Sequence, residues 1–175
     1  PVIVVSNHPA MTDVVVLIAA QERRNQSYLI ISSNFLGILP NLDKHLIPVY
    51  VNHRLLDKSD KFNFLMKMFR KIHWTENYSK AVSHQKNIDS IKRAGKIVRN
   101  GGMVSMFPGG GGQRGEWFPG IGYLIRESIS NQKTKIVMAF IEGTSTWDYL
   151  KLIPGVGIFM PKPKVTFSTE ESIAI

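Results

Sequence analysis

The chain has 175 residues, and its 43% apolar content is enough to bury the core of one domain without a disulfide or a structural metal. It contains no cysteine, which excludes disulfides, thiolate nucleophiles, thiolate zinc sites and acyl-cysteine intermediates. Lysine and arginine outnumber aspartate and glutamate by 22 to 13, and the net charge of +9 favours an anionic partner: a phosphorylated metabolite, anionic lipid, an acidic carrier protein or nucleic acid.

Short apolar runs alternate with longer segments of helical character, which predicts an α/β fold with one domain over residues 1–175. No apolar run approaches the roughly 20 residues that a membrane-spanning helix needs. The chain begins inside a predicted strand and without Met, so we expect a native N-terminal segment, including any anchor, to be missing. The predicted strands are Val2–Val5, Tyr28–Ile31, Leu46–Val51, Met103–Phe107, Ile136–Ile141 and Val165–Phe167.

The first helix is predicted to begin at Thr12 or Asp13, where a short polar side chain can cap free N–H groups, and to run to about Arg24. His8 then lies in the loop between the first strand and this helix. Ligands of open α/β sheets usually bind at such strand-to-helix loops. A later helix is predicted over residues 87–99 and ends before a pair of glycines.

Residues 61–73 read KFNFLMKMFRKIH, with apolar side chains at helical spacing and basic residues beside them. A basic amphipathic helix of this kind can lie on an anionic membrane surface. The same apolar stripe can equally pack on the sheet, which is the more common role of such a stripe. Both interpretations stay open at this point.

His8 and Asp13 form a candidate general-base pair. A neutral imidazole can accept a proton near pH 7, and a carboxylate that accepts the other ring N–H holds the tautomer and stabilises the imidazolium. The structural alternative is a loop histidine beside a carboxylate that stabilises a helix N-terminus by a few tenths to about 1 kcal/mol. These two residues alone favour the structural alternative. The other histidines lack metal-ligand spacing, so no metal site is predicted.

Two later segments carry further candidates for binding an anion. The apolar run LIPVYVNHR ends in Arg54, whose guanidinium suits a phosphate. The run VSMFPGGGGQRG leads through Gly109, Gly110, Gly111 and Gly112 to Arg114. A glycine-rich loop lets backbone N–H groups approach an anion or a developing oxyanion, but this one lacks the P-loop and dinucleotide patterns.

In this order the segments resemble the glycerolipid acyltransferase family, which includes 1-acylglycerol-3-phosphate acyltransferases. The family motif NHxxxxD is matched by Asn7, His8 and Asp13, and its strand ending in arginine is matched at Arg54. KIVMAFIEG, residues 135–143, is similar to the family's fourth motif without its proline. PKPKVTFSTEESI is similar to its last strand, so the resemblance covers nearly the whole chain.

The third family motif, FPEGTR, is only partly matched. Phe107, Pro108 and Gly110 fit, whereas Gly109 replaces the glutamate and Gly111 and Gly112 replace the threonine and arginine; Arg114 is a loose substitute for that arginine. The family uses this motif in binding the acceptor. The departure therefore bears on the identity of the acceptor more than on the type of reaction.

The resemblance implies a mixed, mostly parallel sheet flanked by helices, as in glycerol-3-phosphate acyltransferases. It implies transfer of a fatty acyl group from acyl-CoA or acyl carrier protein, as co-substrate with no bound cofactor, to a hydroxyl of a glycerol-phosphate or lysophospholipid. His8 and Asp13 would be the catalytic dyad, with Arg54, Gly110 and Arg114 on the acceptor. Gly109, Gly111 and Gly112 are our own hypothesis for an oxyanion site. The expected location is peripheral, on the cytoplasmic side of an anionic membrane.

Two other classes of function remain open. The altered third motif is compatible with a pseudoenzyme that binds lipid or acyl carrier protein without turnover. The charge of +9 suggests nucleic-acid binding as an alternative function, and the feature that best supports it is the Lys and Arg residues near Trp74 and Tyr78. The chain has no recognisable nucleic-acid motif, and we predict no nucleic-acid partner.

Overall fold

Six strands form a single mixed sheet in the computed structural model, which describes residues 1–10, 12–37, 40–50, 78–110, 117–129, 133–145, 148, 150, 155 and 157–168. The strand order is β3-β2-β4-β1-β5-β6, and all neighbouring pairs are parallel except β5 with β6. The predicted α/β fold with a mixed, mostly parallel sheet is confirmed. The strands are β1 Val2–Ser6, β2 Ser27–Ser32, β3 Leu46–Val49, β4 Met103–Met106, β5 Lys135–Glu142 and β6 Lys164–Ser168.

Four α-helices accompany the sheet in the described residues, with short 3-10 turns at Ser33–Phe35 and Gly157–Phe159. None of these helices is long and apolar enough to cross a bilayer. The helices are α1 Asp13–Ala20, α2 Pro40–Asp43, α3 Lys80–Arg99 and α4 Gly120–Glu127.

The direction of each connection decides which face of the sheet its helix covers. The chain moves towards the β3 edge through α1 and α2, whose apolar side chains, including Leu17 and Leu42, pack on one face. It moves back towards β6 after α3 and α4, which bury Val98 and Leu124 on the other face. Parallel crossovers keep one hand, so reversing their direction must also reverse the face.

Several element boundaries differ from the sequence prediction. Helix α1 ends at Ala20 and not at Arg24, because Gln21 turns into an extended conformation and its side-chain amide donates to the Ser105 hydroxyl at 2.7 Å. Helix α3 begins at Lys80, seven residues earlier than predicted, because the Ser79 hydroxyl accepts the Val82 N–H and caps it. Helix α4 was not predicted. The amphipathic stretch 61–73 lies outside the described residues.

Helices α3 and α4 cross at a position that leaves no room for a side chain on α3. A Cβ atom placed on the buried Gly95 would lie 2.7 Å from the carbonyl oxygen of Glu127. The Arg99 guanidinium donates to the same carbonyl. The backbone of Glu127 therefore contacts α3 both at Gly95 and at Arg99. The contact holds α4 against the sheet beside β4.

We predict that Gly95→Ala lowers the free energy of unfolding by about 1–3 kcal/mol, because the added methyl group overpacks the crossing. The matched control is Gly122→Ala on the exposed side of α4, where an added Cβ meets nothing within 4 Å. Alanine there should stabilise the helix by up to about 1 kcal/mol. Urea denaturation of both variants measures the difference, and equal midpoints would contradict the close packing at Gly95.

Candidate functional site

The candidate site lies where the carboxyl ends of β1 and β4 meet. These strands are neighbours, but β1 continues into α1 on one face of the sheet whereas β4 continues towards α4 on the other. Their loops therefore diverge and leave a crevice, which is the usual ligand position in an open α/β sheet. His8 follows β1, and the glycine-rich loop follows β4.

His8 and Asp13 are in direct contact in this crevice. The distance from His8 Nδ1 to Asp13 Oδ2 is 3.1 Å, and the side chain of Asp13 has no exposure to solvent, whereas that of His8 is 18% exposed. The Ala10 N–H also donates to Asp13 Oδ2, at 2.6 Å. The carboxylate faces Nδ1, which favours the tautomer with its proton there and leaves the lone pair on Nε2. Among the described residues nothing bonds Nε2, so it is available to a ligand.

Asn7 fastens the loop that carries His8 to strand β5. Its side-chain Nδ2 donates to the carbonyl oxygen of Ile141 at 2.9 Å, and its Oδ1 accepts the N–H of the same residue at 2.7 Å. The amide side chain thus replaces a peptide group and extends the pairing of β1 with β5 past the end of the strand. These two hydrogen bonds fix the backbone directly before His8.

Asp148 fastens the start of α1 to the chain that follows β5. It is 7% exposed, and its carboxylate accepts hydrogen bonds from the Thr12 hydroxyl at 3.0 Å and from the backbone N–H of Ser145 at 2.9 Å. The Ser145 hydroxyl donates to it as well. Thr12 directly precedes Asp13, so this contact helps to position the carboxylate of the dyad.

The loop after β4 forms the other wall of the crevice. The ring of Phe107 stacks on His8 with centroids 4.5 Å apart, and the Gly110 N–H donates to the Phe107 carbonyl at 3.0 Å to close a tight turn. Gly110 has a φ of +64°, which a glycine adopts without strain. Gly109 lines the open space, and its N–H donates to no group in the described part of the chain.

A cleft of about 580 Å³ opens in front of His8. This is within the usual range for a small-molecule site. One wall is the face of β5 and β6 that α3 and α4 leave uncovered, and it displays Met138 and Phe140 at 45% and 55% exposure. Trp117, 54% exposed, lines the cleft near the glycine loop. Large apolar side chains exposed around a groove are typical of a surface that binds an apolar ligand.

The structure brings together four of the candidates: His8, Asp13, Gly109 and Gly110. Arg54, Gly111, Gly112 and Arg114 lie outside the described residues. Among the described residues no cluster of three histidine, aspartate or glutamate side chains could hold a metal ion.

The sequence did not predict that Asn7 holds the His8 loop to β5 or that Asp148 holds the start of α1. It also did not predict the apolar wall on β5. Asn7 was visible in the motif, but its partner, Ile141, is more than a hundred residues away. Asp148 carried no signal in the sequence. The residue pattern of β5 did not indicate an exposed face, because Met138, Ala139, Phe140 and Ile141 are all apolar although only Ala139 and Ile141 are buried.

We predict that Asn7→Asp removes the donor to Ile141 and places a carboxylate oxygen against its carbonyl. The loss should lower the free energy of unfolding by about 1–3 kcal/mol, the usual cost of an unpaired buried polar group. Amide hydrogen exchange should also show faster exchange at Ile141. Asn25→Asp, in an exposed loop, adds the same charge as a control. Unchanged protection of Ile141 in Asn7→Asp would contradict the pairing.

Comparison with known proteins identifies no family for this chain. No protein-family model matches it, no curated protein matches it, and no solved structure matches it at a significant level. The resemblance to glycerolipid acyltransferases therefore depends on the four sequence motifs. A function for the site has to be argued from its own geometry.

Proposed function

We propose that the chain is an O-acyltransferase that moves a fatty acyl group from a thioester, acyl-CoA or acyl carrier protein, to a hydroxyl of a glycerol-based phospholipid precursor. The observation that carries this proposal is the contact between His8 Nδ1 and the fully buried Asp13 carboxylate, with His8 lining an open cleft and its Nε2 without a partner among the described residues. A histidine held in this way is equipped to take a proton from a hydroxyl.

The reaction needs one proton acceptor and one leaving group. The acceptor hydroxyl oxygen attacks the thioester carbonyl while His8 Nε2 removes the hydroxyl proton. The carbon–sulfur bond then breaks, and the imidazolium returns the proton to the departing thiolate. Direct attack fits the composition, because the chain has neither a cysteine nor a GxSxG nucleophile elbow to carry an acyl-enzyme.

Asp13 acts through His8 and does not touch the substrates in this scheme. Its carboxylate fixes the ring orientation and stabilises the imidazolium that exists between the two proton transfers. Burial strengthens this effect, because a charge pair shielded from water interacts in a lower effective dielectric. The Ala10 N–H on the same oxygen offsets part of the cost of burying the carboxylate.

The glycine loop supplies one free donor for the negative charge that develops on the thioester oxygen. Gly109 lines the cleft and its N–H has no partner among the described residues, whereas the N–H of Gly110 is already bonded to the Phe107 carbonyl. We therefore assign the oxyanion role to Gly109 within the described part of this loop. Gly110 closes the turn that orients the backbone of Gly109.

The two substrates have different requirements, and the site offers a separate surface for each. The acyl chain is apolar and fits the wall of Met138, Phe140 and Trp117. The acceptor carries a phosphate or another anionic head group, for which Arg54 and Arg114 are the proposed ligands. The replacement of the family's glutamate by Gly109 leaves the identity of that head group to experiment.

We predict that His8→Ala lowers turnover by about 10²–10⁴, the factor typical of a general base, while the fold survives. Thiol release from long-chain acyl-CoA and from acyl carrier protein measures it, with glycerol 3-phosphate, lysophosphatidic acid and lysophospholipids lacking a terminal phosphate as acceptors. The control is His84→Ala on the exposed surface of α3. Near-normal turnover by folded His8→Ala would remove the dyad from the mechanism.

The same assay separates the enzyme from a binding protein. Thiol release that requires both an acceptor and His8 supports acyl transfer. Binding of lipid or acyl carrier protein without thiol release, by folded wild-type protein, supports the pseudoenzyme instead. The altered third motif is the feature that favours this second function.

We predict that Arg54→Ala raises the KM for the acceptor more than the KM for the acyl donor, because the guanidinium is proposed to bind only the acceptor's anionic group. Steady-state kinetics with each substrate varied in turn measures the two constants. Arg23→Ala, which removes an equal charge from the exposed loop after α1, is the matched control. An unchanged acceptor KM would exclude this role for Arg54.

A further inference from the structure

The 3-10 turn Gly157–Phe159 displays two large apolar side chains to solvent. Ile158 is 80% exposed and Phe159 is 89% exposed, more than any other large hydrophobic residue in the described part of the chain. The turn is closed by the Met160 N–H, which donates to the Gly157 carbonyl at 3.4 Å. Neither side chain belongs to a hydrophobic core cluster of the described residues. We call these two residues the apolar tip.

The apolar tip is followed by strand β6, which begins near the carboxyl ends of the parallel strands, where the candidate site lies. Strand β6 is antiparallel to β5, and its first residue, Lys164, pairs with Glu142 at the carboxyl end of β5. The carboxyl ends of β1 and β5 point the same way because the two strands are parallel. The tip precedes β6 and therefore lies near the carboxyl ends of the parallel strands, as His8 does. Thr166 and Ser168 of β6 line the cleft.

Lysines lie on both sides of the apolar tip along the chain, and the exposed Glu142 of β5 pairs with one of them, Lys164. From Tyr149 to Ser168 the chain contains three lysines and no acidic residue. Lys162 and Lys164, directly after the tip, are both exposed. Apolar side chains that enter the acyl region, beside lysines that stay at the head groups, are the combination by which interfacial segments bind anionic membranes.

We propose that the apolar tip inserts into the surface of an anionic lipid bilayer and turns the mouth of the His8 cleft towards the lipid. Charge complementarity selects this occupant, because the lysines beside the tip match anionic head groups. The inference goes beyond the proposed reaction. Its test involves no acyl donor, so failure of the docking and failure of the chemistry are observed separately.

The first experiment is cosedimentation of the 175-residue chain with vesicles of phosphatidylcholine alone or mixed equally with phosphatidylglycerol. Replacing both tip residues, Ile158→Ser with Phe159→Ser, should weaken binding to the mixed vesicles at least about tenfold, because each side chain loses its transfer into apolar surroundings. The control is Ile129→Ser. Ile129 is 49% exposed and follows α4, near the opposite ends of the parallel strands. Equal binding by the double variant and the wild type would overturn the proposal.

The absence of cysteine permits a direct measurement of insertion. Phe159→Cys and Ile129→Cys each create a unique site for a polarity-sensitive fluorophore in the full chain. The emission at position 159 should shift to the blue on addition of mixed vesicles, and that at position 129 should not. A shift at neither position, or an equal shift at both, would exclude insertion through the tip.

Charge reversal and sedimentation test the choice of occupant. Lys162→Glu with Lys164→Glu should weaken vesicle binding several-fold at low salt, whereas reversal of Lys133 and Lys135 at the other end of β5 should not. Analytical ultracentrifugation shows whether the tip instead joins two copies of the chain. A wild-type dimer that the double serine variant converts to monomer, with vesicle binding unchanged, would overturn the proposal in favour of self-association.

Discussion

The position of β1 between β4 and β5 is the constraint on which the rest of the structure depends. Because β1 and β4 continue to opposite faces of the sheet, the crossover rule separates their loops and opens a crevice at the carboxyl edge. The dyad, the glycine turn and the cleft all lie at this crevice. No other pair of adjacent parallel strands in the described sheet combines this divergence with a described histidine two residues after the strand.

Polar contacts to the end of β5 and to the chain that follows it hold the dyad in place. Asn7 pairs with the backbone of Ile141, and Thr12 donates to Asp148. Each contact crosses between segments more than a hundred residues apart, so the geometry of His8 and Asp13 depends on the assembled domain. In the proposed reaction, holding His8 in place before the substrate arrives would lower the barrier to proton transfer.

The unequal covering of the sheet gives the molecule two different surfaces. Helix α1 covers one face out to Ala139 and Ile141, whereas α3 and α4 leave Met138 and Phe140 open on the other. This uncovered face continues the cleft, and the apolar tip stands at the same edge of the sheet. The apolar wall, the exposed tip and the lysines lie at the same end of the parallel strands, as the proposed lipid substrate and the proposed membrane contact require.

Local spacing by itself determined much of this protein. Alternating apolar runs located all six strands, and the five-residue spacing of His8 and Asp13 across a strand-to-helix joint placed them within reach of each other. Helix α4 escaped prediction because Gly120 and Gly122 weaken its helical signal, and burial of Ile121 and Leu124 stabilises it instead. Only the tertiary structure decided the strand order, the partners of Asn7 and Asp148, the uncovered face of β5 and the free N–H of Gly109. These features depend on contacts between distant segments, and the spacing of residues along a chain carries no information about which distant segment becomes a neighbour.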